Sequence, residues 1–166
     1  MILGMSIDTF TLVHVIISLV GIVTGLIALF GMFGGHRMSG ITALFLLTTI
    51  LTSVTGFLFP ISGFTPAIGV GIISLAILAL ALLGLYGFRL AGAWRWIYVV
   101  SAVIALYLNV FVLVVQSFQK LAFLQPLAPT QSEPPFQIAQ GIVLLLFIVG
   151  GIVAVRRFHP DAQPVA

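Results

Sequence analysis

Six polar side chains of this sequence lie inside long apolar segments, where a polar group needs either a hydrogen-bond partner or a functional role. An imidazole can donate a hydrogen bond, accept one or bind a metal, and side-chain amides can hold polar groups of a ligand. Together such groups can form a small pocket between helices. The set comprises His14, Thr52, Ser53, Asn109, Gln116 and Gln140.

The spacing of these polar residues predicts that they share one depth in a helical bundle. A helical rise of about 1.5 Å per residue places five of them about 8–12 Å inside their helices, with Gln116 about 10 Å above Asn109 on the same helix. We call this set the polar layer. It predicts either interhelical hydrogen bonds, with hydroxyls bonded to their own helix backbone, or a ligand pocket in the outer half of the bundle.

His14 is the candidate metal or haem ligand of the polar layer. Two-histidine haem ligation needs facing imidazoles, whereas His36 and His159 are predicted at the opposite end of the helices. One-histidine ligation and a haem shared between two copies stay open. So does a quinone whose carbonyl is bound by His14 with Asn109 or Gln140. The sequence has no cysteine, which excludes thiolate metal sites, cysteine nucleophiles and disulfides.

The composition predicts that transmembrane helices position these residues. Hydrophobic residues make up 61% of the 166 residues and charged residues only 5%, with a mean hydropathy of +1.33. A soluble domain averages about 25% charged residues. The net charge of +3 does not indicate nucleic-acid binding, because the basic residues lie at the ends of apolar runs rather than in a patch. We expect a multi-pass protein of a bacterial inner membrane, in contact with the lipid bilayer.

Five apolar runs reach the roughly 20 residues that a helix needs to cross a bilayer. Asp8 is the predicted N-cap of the first helix, Gly34 and Gly35 its stop, Pro60 the end of the second and Pro66 the start of the third. The expected fold is an all-α bundle in a single transmembrane domain, with consecutive helices antiparallel. The predicted spans are residues 9–33, 39–59, 66–88, 93–118 and 135–155.

The basic residues predict the orientation, because lysine and arginine are retained in cytoplasmic loops. Five crossings place every arginine on one side and Lys120 on the other, so the N-terminus is predicted outside and the C-terminus in the cytoplasm. Trp94, Trp96 and Tyr98 then fall at the inner membrane interface, where an aromatic belt is expected. The arginines are Arg37, Arg89, Arg95, Arg156 and Arg157.

Small residues four apart allow helix backbones to approach closely in lipid. We favour packing within one bundle over a dimer interface for these pairs. They are Gly21 with Gly25, Gly31 with Gly35, and Gly150 with Ala154.

The predicted outer loop, residues 119–134, is too rich in proline to continue a helix and too apolar for a disordered linker. Lys120, Gln131 and Glu133 are its candidate interaction residues, either as a lid over the polar layer or as a docking surface. The alternative is a helix cap at Glu133 with a surface ion pair from Lys120 to Glu133 or Asp8.

The inner ends carry basic pairs that are predicted to contact anionic lipid headgroups. These pairs are His36 with Arg37, and Arg156 with Arg157. The tail from Asp161 is predicted to be disordered.

Several short motifs between residues 12 and 60 carry a family resemblance. They are His14, Gly21 with Gly25, His36 and Arg37 with Gly40, and Thr55 with Gly56. This stretch resembles small bacterial membrane proteins of unknown function and the DUF2306-like and cytochrome b561-like four-helix group. The resemblance covers under a third of the chain and implies a membrane redox or haem role. The segments NVFVLVVQSFQK and APTQSEPPF resemble uncharacterised bacterial integral membrane proteins.

The sequence predicts a non-enzymatic accessory or interaction subunit that contacts other membrane subunits, or a second copy of itself, through lipid-facing helices and the outer loop. It contains no phosphate-binding loop and no recognisable arrangement of a nucleophile with a base. Two alternatives stay open. One is a haem- or quinone-binding redox protein that uses the polar layer, and the other is a small transporter.

Overall fold

The computed structural model describes residues 1–160, and this part of the chain forms five long α-helices. Each is long and apolar enough to cross a membrane, which confirms the predicted number of candidate spans. The tail from Asp161 lies outside the described residues. The helices are α1 (Ile7–Phe33), α2 (Ser39–Gly56), α3 (Pro66–Leu82), α4 (Trp94–Lys120) and α5 (Pro134–Arg157).

The start of α1 differs from the prediction. Ser6, not Asp8, is the N-cap, and its hydroxyl accepts a hydrogen bond from the Thr9 amide at 3.2 Å. The helix therefore begins two residues earlier than predicted, because serine caps as well as aspartate does. Asp8 lies in the first turn, where its charge still interacts favourably with the helix dipole.

The other helix boundaries follow the proline and glycine positions closely. Gly35 has a φ of +76° immediately after α1, a conformation that glycine adopts without steric cost. Pro66 occupies the first turn of α3. However, α2 ends at Gly56 rather than at residue 59, because Phe57 and Leu58 donate to carbonyls three residues back in tight turns before Pro60.

The end of α3 was not predicted in detail. The helix widens into a π-helical turn, Leu83–Gly87, as it meets the start of α4. Gly84 lies at the contact, and a Cβ atom there would lie 3.1 Å from the Trp94 carbonyl oxygen and 3.0 Å from the Tyr98 Cβ. A larger residue at this position would push the two helices apart by a few tenths of an ångström.

The topology brings all five arginines to one end of the bundle, which we call the arginine end. It comprises the α1–α2 and α3–α4 connections, the first turn of α4 and the end of α5. The Arg157 guanidinium lies 3.5 Å from the Phe33 carbonyl oxygen, which ties the ends of α5 and α1 together. The opposite end holds residues 121–133 and is called the proline-loop end. The orientation of either end relative to a membrane stays a prediction.

The most tightly packed core lies toward the arginine end. The second half of α1 and the first half of α4 contribute most of its buried side chains, including Leu29, Met32, Val99 and Leu106. Tyr98 belongs to this core and is only 1% exposed, so its predicted place in an aromatic belt is wrong. The reason is its helix face, which points at Phe158. Trp96 is 47% exposed at the same end.

The glycine pairs pack inside this single bundle, as predicted. A Cβ atom on Gly21 would meet the hydroxyls of Thr48 and Thr49 on α2, and one on Gly150 would meet Phe33. Ala154 is fully buried. The small residues therefore serve close packing between helices of the same chain.

Candidate functional site

The predicted polar layer lies in the half of the bundle nearest the proline-loop end, and it forms separate contacts between helices. His14 on α1 contacts Thr55 on α2, with 2.7 Å between the imidazole Nδ1 and the hydroxyl oxygen. Asn109 on α4 donates to the Thr49 hydroxyl of α2 at 3.2 Å. The layer therefore links α1 to α2 and α2 to α4.

The hydrogen bonds of Thr55 determine the tautomer of His14. The Thr55 hydroxyl lies 2.6 Å from the Leu51 carbonyl oxygen, which can only accept its single proton. His14 Nδ1 must then donate to Thr55, so neutral His14 carries its proton on Nδ1. The Nε2 lone pair has no hydrogen-bond partner among residues 1–160, and it can accept a hydrogen bond or bind a metal.

Aromatic rings fix the orientation of the His14 ring. Phe59 meets the imidazole edge to face, with 5.3 Å between ring centroids, and also packs against the buried Phe10 at 5.0 Å. Gly56 lies beside the ring, where a Cβ atom would be 3.8 Å from the imidazole Cε1. His14 itself is half-buried. Both its hydrogen bond and its packing therefore hold the ring on the α1–α2 pair.

Gln140 joins α5 to α4 through a main-chain contact. Its amide nitrogen donates to the Phe111 carbonyl oxygen at 3.1 Å. Its amide oxygen is buried and has no hydrogen-bond partner among residues 1–160. A buried acceptor of this kind favours a water molecule or a ligand donor between the two helices.

The remaining members of the polar layer are less connected. The Thr52 hydroxyl donates to the Thr48 carbonyl of its own helix at 2.8 Å. Ser53 is buried on α2, and Gln116 is half-buried on α4. Neither of the two main cavities found in residues 1–160 is lined by any of the six residues. A single pocket formed by the six residues stays a prediction. What the structure shows is that three of them form hydrogen bonds between helices.

The predicted lid residues lie on a folded loop. Gln131 donates to the Val115 carbonyl oxygen at 3.0 Å, so the loop packs back onto α4. Glu133 directly precedes α5, and its carboxylate accepts from the Thr130 hydroxyl at 2.7 Å and from the backbone amides of Thr130 and Ser132. Lys120 is exposed at the end of α4. Glu133 therefore organises its own loop, and the Lys120 ion pair stays a prediction.

The same contacts affect the protonation of Glu133. The Thr130 hydroxyl, followed by the backbone amides, holds the pKa of this carboxyl below its usual value. Because the folded-state pKa is lowered, the stabilisation is present above the unfolded-state pKa and is lost as the pH falls through the folded-state pKa.

Comparison with known proteins identifies no relative of this chain. No family model, no curated protein and no solved structure matches this chain. Its function is therefore inferred from its own residues.

The side chains fit a haem or a metal only in part. The Nδ1 donor bond of His14 orients the ring as an outer partner does for a ligating histidine. His36 lies against Gly34 at the arginine end, about 30 Å away along α1. Within residues 1–160 no group of three or more His, Cys, Asp or Glu side chains could hold a metal ion. The chain offers His14 as one axial ligand, without a facing second imidazole among the described residues.

Three residues with clear structural roles are not among the predicted site residues. Thr49 and Thr55 are the hydroxyl partners of Asn109 and His14. The concentration of hydroxyls between residues 48 and 55 was the available signal for a polar face on α2. Arg95, used in the sequence analysis only for orientation, donates from one guanidinium nitrogen to the carbonyl oxygens of Val155 and Phe158, both at 2.8 Å. It thereby satisfies main-chain acceptors at the end of α5.

Proposed function

We propose that this chain is a non-enzymatic accessory subunit of a bacterial inner-membrane assembly and that it contacts its partner subunit through α5. The observation that carries the proposal is the packing of α5. Only 6% of its most apolar stretch is buried in the bundle, against 28–39% for the other four helices. Gly150 and Ala154 are its only buried residues.

The exposed face of α5 has the spacing of a helix-packing seam. Five of the eight exposed large apolar residues of α5 follow at intervals of four, three, four and three, which is the repeat of knobs-into-holes packing. Each is between 49% and 63% exposed. A transmembrane helix of another subunit fits such a seam, which we call the α5 stripe. It consists of Ile138, Ile142, Leu145, Val149 and Ile152.

The polar layer supports the same proposal. The side chains of His14, Asn109 and Gln140 each hydrogen-bond to a neighbouring helix of the same chain. Such bonds contribute about 1 kcal/mol each in membrane bundles. The first two hold α1, α2 and α4 together, and Gln140 holds α5 on α4, so that a partner helix meets a preformed surface.

Photocrosslinking in the native membrane tests the α5 stripe. We expect a photoreactive amino acid at Leu145 to give one discrete adduct with another membrane protein. The same group at Ile73, a 53%-exposed residue of α3, should crosslink to lipid alone. Leu145→Trp should release the chain from its native complex on a non-denaturing gel, whereas Ile73→Trp should not. The same crosslinking pattern at Leu145 and Ile73 would refute the docking role. An adduct of two copies of this chain would show that α5 mediates self-association instead.

A redox-associated function is the second candidate, favoured by the lone pair on His14 Nε2. That atom could bind haem iron or accept a hydrogen bond from a quinol. When bound, the cofactor would supply the electron transfer, and Thr55 would hold the tautomer and ring orientation of His14.

Spectroscopy and extraction of the purified protein test this candidate. We expect a Soret band or an extractable quinone that is lost in His14→Ala and retained in His36→Ala, since His36 lies at the arginine end. Thr55→Val should weaken cofactor retention, because it removes the hydrogen bond that fixes the tautomer. A colourless protein that carries no quinone would remove the redox candidate while leaving the α5 proposal intact.

A further inference from the structure

An open groove runs between α4 and α5 from the middle of the bundle to the arginine end. Its volume is about 390 Å³, and its walls are apolar except at Tyr107 and Arg156. Ile104 on α4 and Gly151 on α5 lie along its length. The groove and the α5 stripe share only Ile152, so the two surfaces face in different directions.

The dimensions of the groove match a single hydrocarbon chain. From Leu144 to Arg156 the lining spans about 18 Å along α5. One leaflet contributes about half of the roughly 30 Å hydrocarbon thickness of a bilayer. About 390 Å³ over about 18 Å gives a mean cross-section of about 22 Å², so the groove is long and narrow. An acyl chain of one leaflet therefore matches the groove in its length and in its apolar lining.

Arg156 supplies the charge at the end of the groove. Within residues 1–160, the Arg95 guanidinium donates to the carbonyl oxygens of Val155 and Phe158. The Arg157 guanidinium donates to the carbonyl oxygen of Phe33. Arg156 is exposed and makes no such bond within this part of the chain. A guanidinium group binds phosphate through paired hydrogen bonds, and basic pockets between transmembrane helices bind anionic headgroups.

We propose that this groove is a binding site for an anionic phospholipid of the leaflet at the arginine end. The phosphate lies on Arg156, and one acyl chain follows the groove past Ile104 to Leu144. The inference is independent of the partner proposed for the α5 stripe. It assigns Arg156 a specific ligand, whereas Arg95 and Arg157 of the same end hydrogen-bond to main-chain carbonyls.

Spin-labelled lipids in reconstituted bilayers test the site. In phosphatidylcholine membranes we expect the protein to immobilise labelled phosphatidylglycerol in about fivefold preference to labelled phosphatidylcholine, the ratio that one surface arginine supplies. Arg156→Gln should abolish the preference. Arg89→Gln, which removes an exposed arginine from the α3–α4 connection of the same end, should retain it.

A second pair of variants separates the groove from general surface charge. Ile104→Trp fills the groove without removing charge and should also abolish the preference, whereas Ile73→Trp on α3 should retain it. Ile104→Trp alone decides the question if Arg156→Gln does not fold. Equal immobilisation of both lipids by the wild-type protein would overturn the proposal, and so would an equal loss in Arg89→Gln. A disulfide between two copies carrying Ile104→Cys would place a second chain at the groove instead.

Discussion

Gly25→Leu should destabilise the bundle by at least about 1–3 kcal/mol, the usual cost of overpacking a core. Gly25 lies where α1 meets both α2 and α4. Even a Cβ atom there would be 2.6 Å from the Leu106 Cδ1 and 2.8 Å from the Phe45 ring. Both neighbours are buried, at 1% and 2% exposure, and the cavity that they line beside Gly25 is only about 10 Å³, too small to take up a displaced Phe45 ring. The leucine should therefore push α1 away from its two partners.

Thermal unfolding in detergent measures this effect, with Gly141→Leu as the matched control. Gly141 is also inside a helix, but a Cβ atom there meets nothing within 4 Å. We expect Gly141→Leu to leave the melting temperature unchanged or to raise it, because leucine favours helix over glycine. Equal melting temperatures for the two variants would show that Gly25 does not lie at a tight helix crossing.

Arg95→Met should destabilise the end of α5 by about 1.5–3 kcal/mol, the value of a hydrogen bond to a charged group. The substitution removes both 2.8 Å bonds to Val155 and Phe158 and leaves their carbonyl oxygens without this donor. Two bonds share one guanidinium nitrogen, so we do not expect twice that value. The loss should be local, because the α4–α5 contact nearer the polar layer is kept by Gln140.

Hydrogen exchange followed by mass spectrometry detects this change. Peptides covering the last turn of α5 should exchange faster in Arg95→Met, while peptides of α1 and α2 should be unaffected. Arg89→Met is the control, since Arg89 is an exposed residue of the α3–α4 connection at the same end. If Arg89→Met accelerated exchange in α5 to the same extent, the effect would reflect the charge of this end and not the capping bonds of Arg95.

The number of helices and the location of the arginines could be predicted because both depend on linear features of the sequence. Apolar length gives the five candidate spans, and each proline or glycine near a run limits its end. The predicted start of α1 was wrong because two nearby residues suit the same capping role. Ser6 and Asp8 both suit an N-cap, and no rule of composition decides between them. Helix α2 ends at Gly56, three residues before the predicted end, because tight turns replace the last helical hydrogen bonds before Pro60.

The pairing of the polar side chains at the candidate site could not be predicted, for a different reason. The helical rise predicts depth along the bundle axis, and the polar residues do lie in one half of the bundle. Rotation about each helix axis depends on packing with several neighbours, so the sequence could not pair Asn109 with Thr49 rather than with His14. The same reason explains Tyr98, which lies near the interface in sequence yet faces the core.

The central prediction is that the chain crosses the membrane five times and places the arginine end in the cytoplasm. The sequence contains no cysteine, so single cysteines can be placed at exposed alanines of either end. Ala122→Cys marks the proline-loop end and Ala91→Cys the arginine end. A membrane-impermeant maleimide should label Ala122→Cys in intact cells and Ala91→Cys only after the membrane is opened. Labelling of both positions in intact cells would contradict the five crossings, and the reverse pattern would contradict the orientation.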